Sequence, residues 1–141
     1  MEIRTHESYV SLDVARLLKK AGFDWKVISY YRNGNDRIHF GEEPIDWNRQ
    51  HSQLTIANDY SAPTLEVAQR WLREEKGMYI DVLTDFDYFG VFFVVKYIYN
   101  NKCVYVLDED CEEYTHKIFK TYDEAQEVGI KKALEIILKE E

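Results

Sequence analysis

The chain has 141 residues and a mass of 16.9 kDa, the size of one domain with a core large enough to need no metal or disulfide staple. Lys plus Arg number 18 against 26 Asp plus Glu, a formal charge of −8 that opposes broad binding to a duplex phosphate backbone. Hydrophobic residues at 45% and charged residues at 31% belong to a globular chain, and two cysteines are too few for a disulfide framework or a four-thiolate metal site.

Residues 1–10 carry Glu2, Arg4, His6 and Glu7 and no apolar core, so no signal peptide is expected. The longest purely apolar run, residues 91–95, falls far short of a membrane span, and a cytoplasmic location is expected. The first helix is expected at 12–21, opened by Ser11 as a hydroxyl cap, with Asp13 at the positive end of the helix dipole. Its apolar face is Val14, Leu17, Leu18 and Ala21, and Gly22 follows as a C-terminal cap. Strands at 26–32 and 37–40 flank Asn33-Gly34-Asn35-Asp36, a hairpin signal. Residues 41–61 read as a long polar loop with a short strand at 53–56, and loops of that length are often functional.

The second helix, 64–76, repeats the opening grammar with Thr64 and Glu66, buries Leu65, Ala68, Trp71 and Leu72, and ends at Gly77. A half-buried strand follows at 78–82. Strands at 91–99 and 103–107 flank Asn100-Asn101-Lys102, a second hairpin, and a weaker strand is expected at 114–119. The third helix, 122–139, starts with Thr121 and Glu124 in capping-box spacing. It packs through Ala125, Val128, Ala133, Ile136 and Ile137, with Gly129 allowing close approach. The order predicts an α+β fold, an antiparallel sheet built from hairpins with about three helices gathered mainly on one face. Residues 1–141 form a single domain in this reading. Two α-β-β-like halves, 9–40 and 62–99, precede the last helix and reflect either duplication or convergence of capped helices.

The run Ser61-Ala62-Pro63-Thr64-Leu65-Glu66-Val67-Ala68-Gln69-Arg70-Trp71-Leu72-Arg73-Glu74 is the most distinctive stretch. With Tyr9-Val10-Ser11-Leu12 and Thr121-Tyr122-Asp123-Glu124-Ala125, it resembles small hypothetical proteins from phages and mobile elements of gut anaerobic bacteria. The resemblance implies a phage or integrated-element origin and brings no activity, cofactor or catalytic residue.

Candidate chemistry is sparse. His6, His39, His51 and His116 lie in separate segments without ligand spacing, and read as surface or strand-edge side chains. Residues 108–113 concentrate acids around Cys111, but lack the glycine and distal glutamate of a calcium loop and read as a solvated turn. Cys103 opens a strand and is expected to be a small buried hydrophobe; Cys111, set among acids, is a poor nucleophile. No nucleophile elbow or phosphate-binding glycine loop is present. No catalytic residue, cofactor or metal is therefore assigned.

Aromatics carry more information: 11 Tyr, 7 Phe and 3 Trp concentrate at 30–31, 86–89, 92–93, 97–99 and 105. Tyr30, Tyr31, Arg32, Trp47, Phe92, Lys96, Tyr97, Tyr99 and Tyr105 form the candidate interaction surface. Basic residues Lys26, Arg32, Arg37, Lys96 and Lys102 could line a groove for a single nucleic-acid strand stacking on those rings. Strand 91–99 alternates Val91, Phe93, Val95, Tyr97 and Tyr99 with Phe92, Val94 and Ile98, interrupted only by Lys96, and is apolar on both faces. Three helices cover one face, so the other is expected to meet residues 41–61 or a second subunit in a homodimer. The expected function is a non-enzymatic accessory protein acting through protein–protein contacts. The alternatives are single-stranded nucleic-acid or nucleotide binding and acidic mimicry of DNA.

Overall fold

Each helix begins where a hydroxyl side chain takes a first-turn amide. Val14 N–H donates to Ser11 Oγ at 3.3 Å, Val67 N–H to Thr64 Oγ1 at 3.2 Å, and Glu124 N–H to Thr121 Oγ1 at 3.2 Å. These caps open α1 (Leu12–Ala21), α2 (Leu65–Lys76) and α3 (Tyr122–Glu140), close to the expected spans. Gly22 and Gly77 end the first two in the left-handed region, at φ 94° and 65°.

The computed structural model describes residues 8–49, 58–107 and 116–140. Between the helices lie β1 (Val27–Arg32), β2 (His39–Ile45), β3 (Asp59–Ser61), β4 (Tyr79–Asp87), β5 (Gly90–Tyr99) and β6 (Lys102–Tyr105). They form two three-stranded antiparallel sheets, β2-β1-β3 and β4-β5-β6, so the fold class is α+β. His6, His51, Cys111, the strand expected at 53–56 and the acidic run 108–113 lie outside the described residues.

The chain divides into two compact units, Met1–Ala68 and Gln69–Glu141. In the first, β1 is the central strand and α1 packs against β3. Lys19 Nζ donates to Asn58 Oδ1 at 2.6 Å and to the Asp59 carbonyl at 3.0 Å, and it lies over the Tyr60 ring. The described part of 41–61 is not the expected loop: β2 runs to Ile45, a short 3-10 turn follows at Trp47–Arg49, and β3 closes the segment. β2 is an edge strand, where Gly41, Glu42, Glu43 and Pro44 are tolerated, and that composition is what resembled a loop.

In the second unit α3 packs against β4 and β5. A β-carbon on Gly129 would stand 2.9 Å from Val95 Cγ1 and 3.0 Å from Ile80 Cγ2, so only glycine permits this approach. Asn100 and Asn101, at φ 52° and 62°, make the mirror-image turn that suits the β5–β6 hairpin. Of the strand expected at 114–119, the described part makes only isolated bridges, Leu107 with His116 and Phe93 with Phe119. Gln126, 1% exposed, donates through Nε2 to Gln69 Oε1 at 2.8 Å; Gln69 Nε2 donates to the Ile80 carbonyl at 2.7 Å.

Candidate functional site

The candidate surface divides between the two units. In the first, β-strand alternation turns Tyr30 and Arg32 to one face and Ser29 and Tyr31 to the other. Tyr31 is buried, its hydroxyl donating to the Val10 carbonyl at 2.6 Å, and so belongs to the interior rather than to any outward surface. Tyr30 stacks on Trp47 with ring centroids 3.9 Å apart and lies 5.4 Å from its cross-strand neighbour His39. Trp47 is fixed by its indole N–H, which donates to the Val27 carbonyl at 2.7 Å, and by its backbone N–H, which donates to Ser61 Oγ at 3.1 Å. Arg32 Nε meets Asp59 Oδ1 at 3.1 Å, and this carboxylate holds the guanidinium pKa above its ordinary value. These contacts occupy the groups that a base-stacking platform would present. Lys26 and Arg37 are exposed on the same unit.

In the second unit the register separates the remaining candidates. Tyr97 and Tyr99 share the α3 face with Val95, whereas Phe92 and Lys96 lie on the opposite face with Tyr105, the cross-strand partner of Lys96. Lys96 also faces Asp81 across β4, and Phe92 faces Asp85, so acids interrupt the basic lining expected there. Tyr79 and Ile98 are exposed on this face, and Tyr105 stacks on His116 at 4.1 Å. Cys103 is exposed, not buried: it lies on the short edge strand β6 opposite Ile98.

Sequence reasoning counted 86–89 among the aromatic stretches but left it out of the candidate surface, and it holds the most exposed aromatics. β6 pairs only with residues 96–99 of β5, while the β4–β5 ladder continues to Asp87–Gly90 and ends in a turn at Tyr88 and Phe89. Phe86 is 77% exposed, Tyr88 98%, Phe89 94% and Val91 63%. Local hydrogen bonds shape this tip: Asp87 Oδ1 accepts from Phe89 N–H and Asp85 Oδ1 from Phe86 N–H, both at 2.8 Å. Residues 77–95 contain Asp81, Asp85 and Asp87 and no Lys, Arg or His. The available signal was two bulky rings where a hairpin turn ordinarily has Asn or Gly.

A cleft of about 420 Å³ opens in the same unit between α3 and the β5–β6 hairpin. Tyr97, Val104, Val106 and Ile136 give it an apolar lining, and α3 adds Lys132, Glu135 and Lys139. Burial pushes the Tyr97 phenol pKa up, and the nearby Lys132 ammonium draws it partly back. At one end Tyr99 hydroxyl donates to Glu140 Oε2 at 2.9 Å. Among the described residues, no cluster of three or more His, Cys, Asp or Glu side chains is placed to hold a metal ion.

No protein-family model matches the chain, and comparison with curated proteins and with solved structures gives no match.

Proposed function

We propose that this chain is a non-enzymatic accessory protein, of the phage or mobile-element type its sequence resembles, and that it acts through protein–protein contacts made by the β4–β5 hairpin tip. The exposure of Phe86, Tyr88, Phe89 and Val91 on one turn carries this reading. A hairpin turn has no use for such rings, and contiguous exposed apolar residues mark contact sites. Aromatic side chains are the usual anchors of such contacts because they bury a large area with few rotatable bonds. Asp85 and Asp87 flank the tip, and residues 77–95 hold no Lys, Arg or His, which favours a protein partner over a phosphate backbone or an anionic membrane.

A photo-crosslinking amino acid at position 88, with position 75 on the exposed side of α2 as control, tests the reading in cells expressing the chain. Discrete protein adducts are expected from position 88 alone, and Phe89→Ser abolishes them. Identical adducts from both positions, or adducts to nucleic acid or lipid, overturn it.

A further inference from the structure

We infer that the outer edge of β4 binds an extended segment of a partner protein, alternating basic and apolar residues, as an added antiparallel strand. This surface is separate from the exposed rings of the tip, because backbone groups form it. Among the described residues four strands lie at sheet edges: β2, β3, β4 and β6. β2 carries Pro44 and a break in register, β3 has three residues and β6 has four. Such features are the usual means of blunting an edge against further pairing. β4 has nine residues, no proline or lysine, and unbroken register with β5 from Tyr79 to Asp87. A long regular edge is a template for strand addition.

The ladder fixes which groups are open. Phe93 exchanges both backbone hydrogen bonds with Phe119, so odd-numbered residues of β5 bond away from β4 and even-numbered ones toward it. Their β4 partners Asp81, Leu83 and Asp85 therefore point their backbone groups inward, while those of Ile80, Val82, Thr84 and Phe86 point outward. At the two ends the chain engages its own outward groups: Gln69 Nε2 donates to the Ile80 carbonyl, and Phe86 N–H donates to Asp85 Oδ1. Between them, no described residue bonds to the outward N–H and C=O of Val82 or Thr84.

These four groups also decide the occupant. A second copy of β4 meets them with open groups of its own in one antiparallel register only, Val82 opposite Thr84. That register sets Asp81 opposite Asp85 twice, and like charges directly opposite are destabilising. On β4 and β5, the face that carries Asp81 and Asp85 also holds Asp87, against Lys96 as its one cation. The segment that fits has Lys or Arg opposite Asp81 and opposite Asp85, with an apolar residue between them opposite Leu83. Val82 is half-buried and Thr84 exposed on the α3 face, so β-branched side chains suit the two remaining positions.

The experiment uses the full chain and a fluorescent peptide, Thr-Lys-Val-Ile-Val-Lys-Thr, read by anisotropy at low salt. Saturable binding is expected, with slowed amide exchange at Val82 and Thr84. Methylating the two valine nitrogens of the peptide weakens binding by roughly tenfold or more, since hydrogen bonds to the edge are lost and the charge remains. Glutamate in place of both lysines has a comparable effect, because it faces the two aspartates with like charge. Thr84→Pro removes an outward N–H without touching the β4–β5 ladder and abolishes binding. The methylated peptide acts on the wild-type chain, so the test holds even where Thr84→Pro fails to fold. No saturable binding at sub-millimolar peptide, or equal binding of either altered peptide, overturns the proposal. Protein adducts from position 88 without peptide binding leave the tip contact standing and remove the edge.

Discussion

Gly41 shows how much one absent atom can position. A β-carbon there would stand 2.6 Å from Trp47 Cζ2, inside the ring that stacks on Tyr30. Gly41→Ala is expected to push the indole off Tyr30 and to destabilise the chain by about 1–3 kcal/mol, the usual cost of overpacking. Tryptophan emission checks it: the spectrum shifts in Gly41→Ala and does not shift when Trp47→Phe is already present. Tyr97 provides a second residue-level prediction. Its folded pKa is raised by burial, so the native state holds this proton more tightly than the unfolded state. The associated stability is fully present below about pH 10 and falls as pH climbs from there through the raised value. Ultraviolet titration of the tyrosinates is expected to lose a late-ionising component in Tyr97→Phe, and an unchanged titration curve refutes the assignment.

At the scale of elements, the helices were legible and the sheets only partly so. Ser11, Thr64 and Thr121 mark the helix starts because a cap is a local bond between residues three apart. Thr121→Ala is therefore expected to cost about 0.5–2 kcal/mol in denaturant unfolding, with m unchanged. Only half of the capping box forms: Thr121 accepts from Glu124 N–H, and Glu124 makes no return bond, so Glu124→Ala is expected to cost less than Thr121→Ala. Hairpin turns at Asn33-Gly34 and Asn100-Asn101 were equally local, since left-handed backbone selects those residues. The continuation of β2 through residues 41–45 was missed because an edge strand tolerates proline and charge. The division of six strands into two sheets is set by pairing between distant residues, such as Tyr31 with Tyr60, which periodicity does not encode. The Gln126–Gln69–Ile80 chain of hydrogen bonds escaped notice for the same reason: glutamines on helices ordinarily face water.

For the molecule as a whole, composition set limits without selecting a site. Among the described residues no helix is long and apolar enough to cross a membrane. Thermal melts with and without a chelator are expected to superimpose, because apolar packing of α3 on β4 and β5 supplies the second unit's core. A fall of several degrees on chelation contradicts this. The aromatic excess drew attention to the strands and hairpins, but a ring count does not distinguish Tyr31, bonded to Val10 in the interior, from Tyr88, which projects into solvent. Only the strand register separates them.

The exposed tip also separates two kinds of selection. Gly129, Gln126 and Thr121 are constrained by packing, hydrogen bonding and capping, so their retention among diverging copies of the gene would reflect the fold alone. Tyr88 and Phe89, at 98% and 94% exposure, meet each other edge to face and lie outside the core, and exposed substitutions typically change stability by less than about 0.5 kcal/mol. Mutation at these two positions is therefore nearly invisible to folding. Rings that persist there through divergence record the pressure of a contact, and drift toward Asn-Gly records its loss.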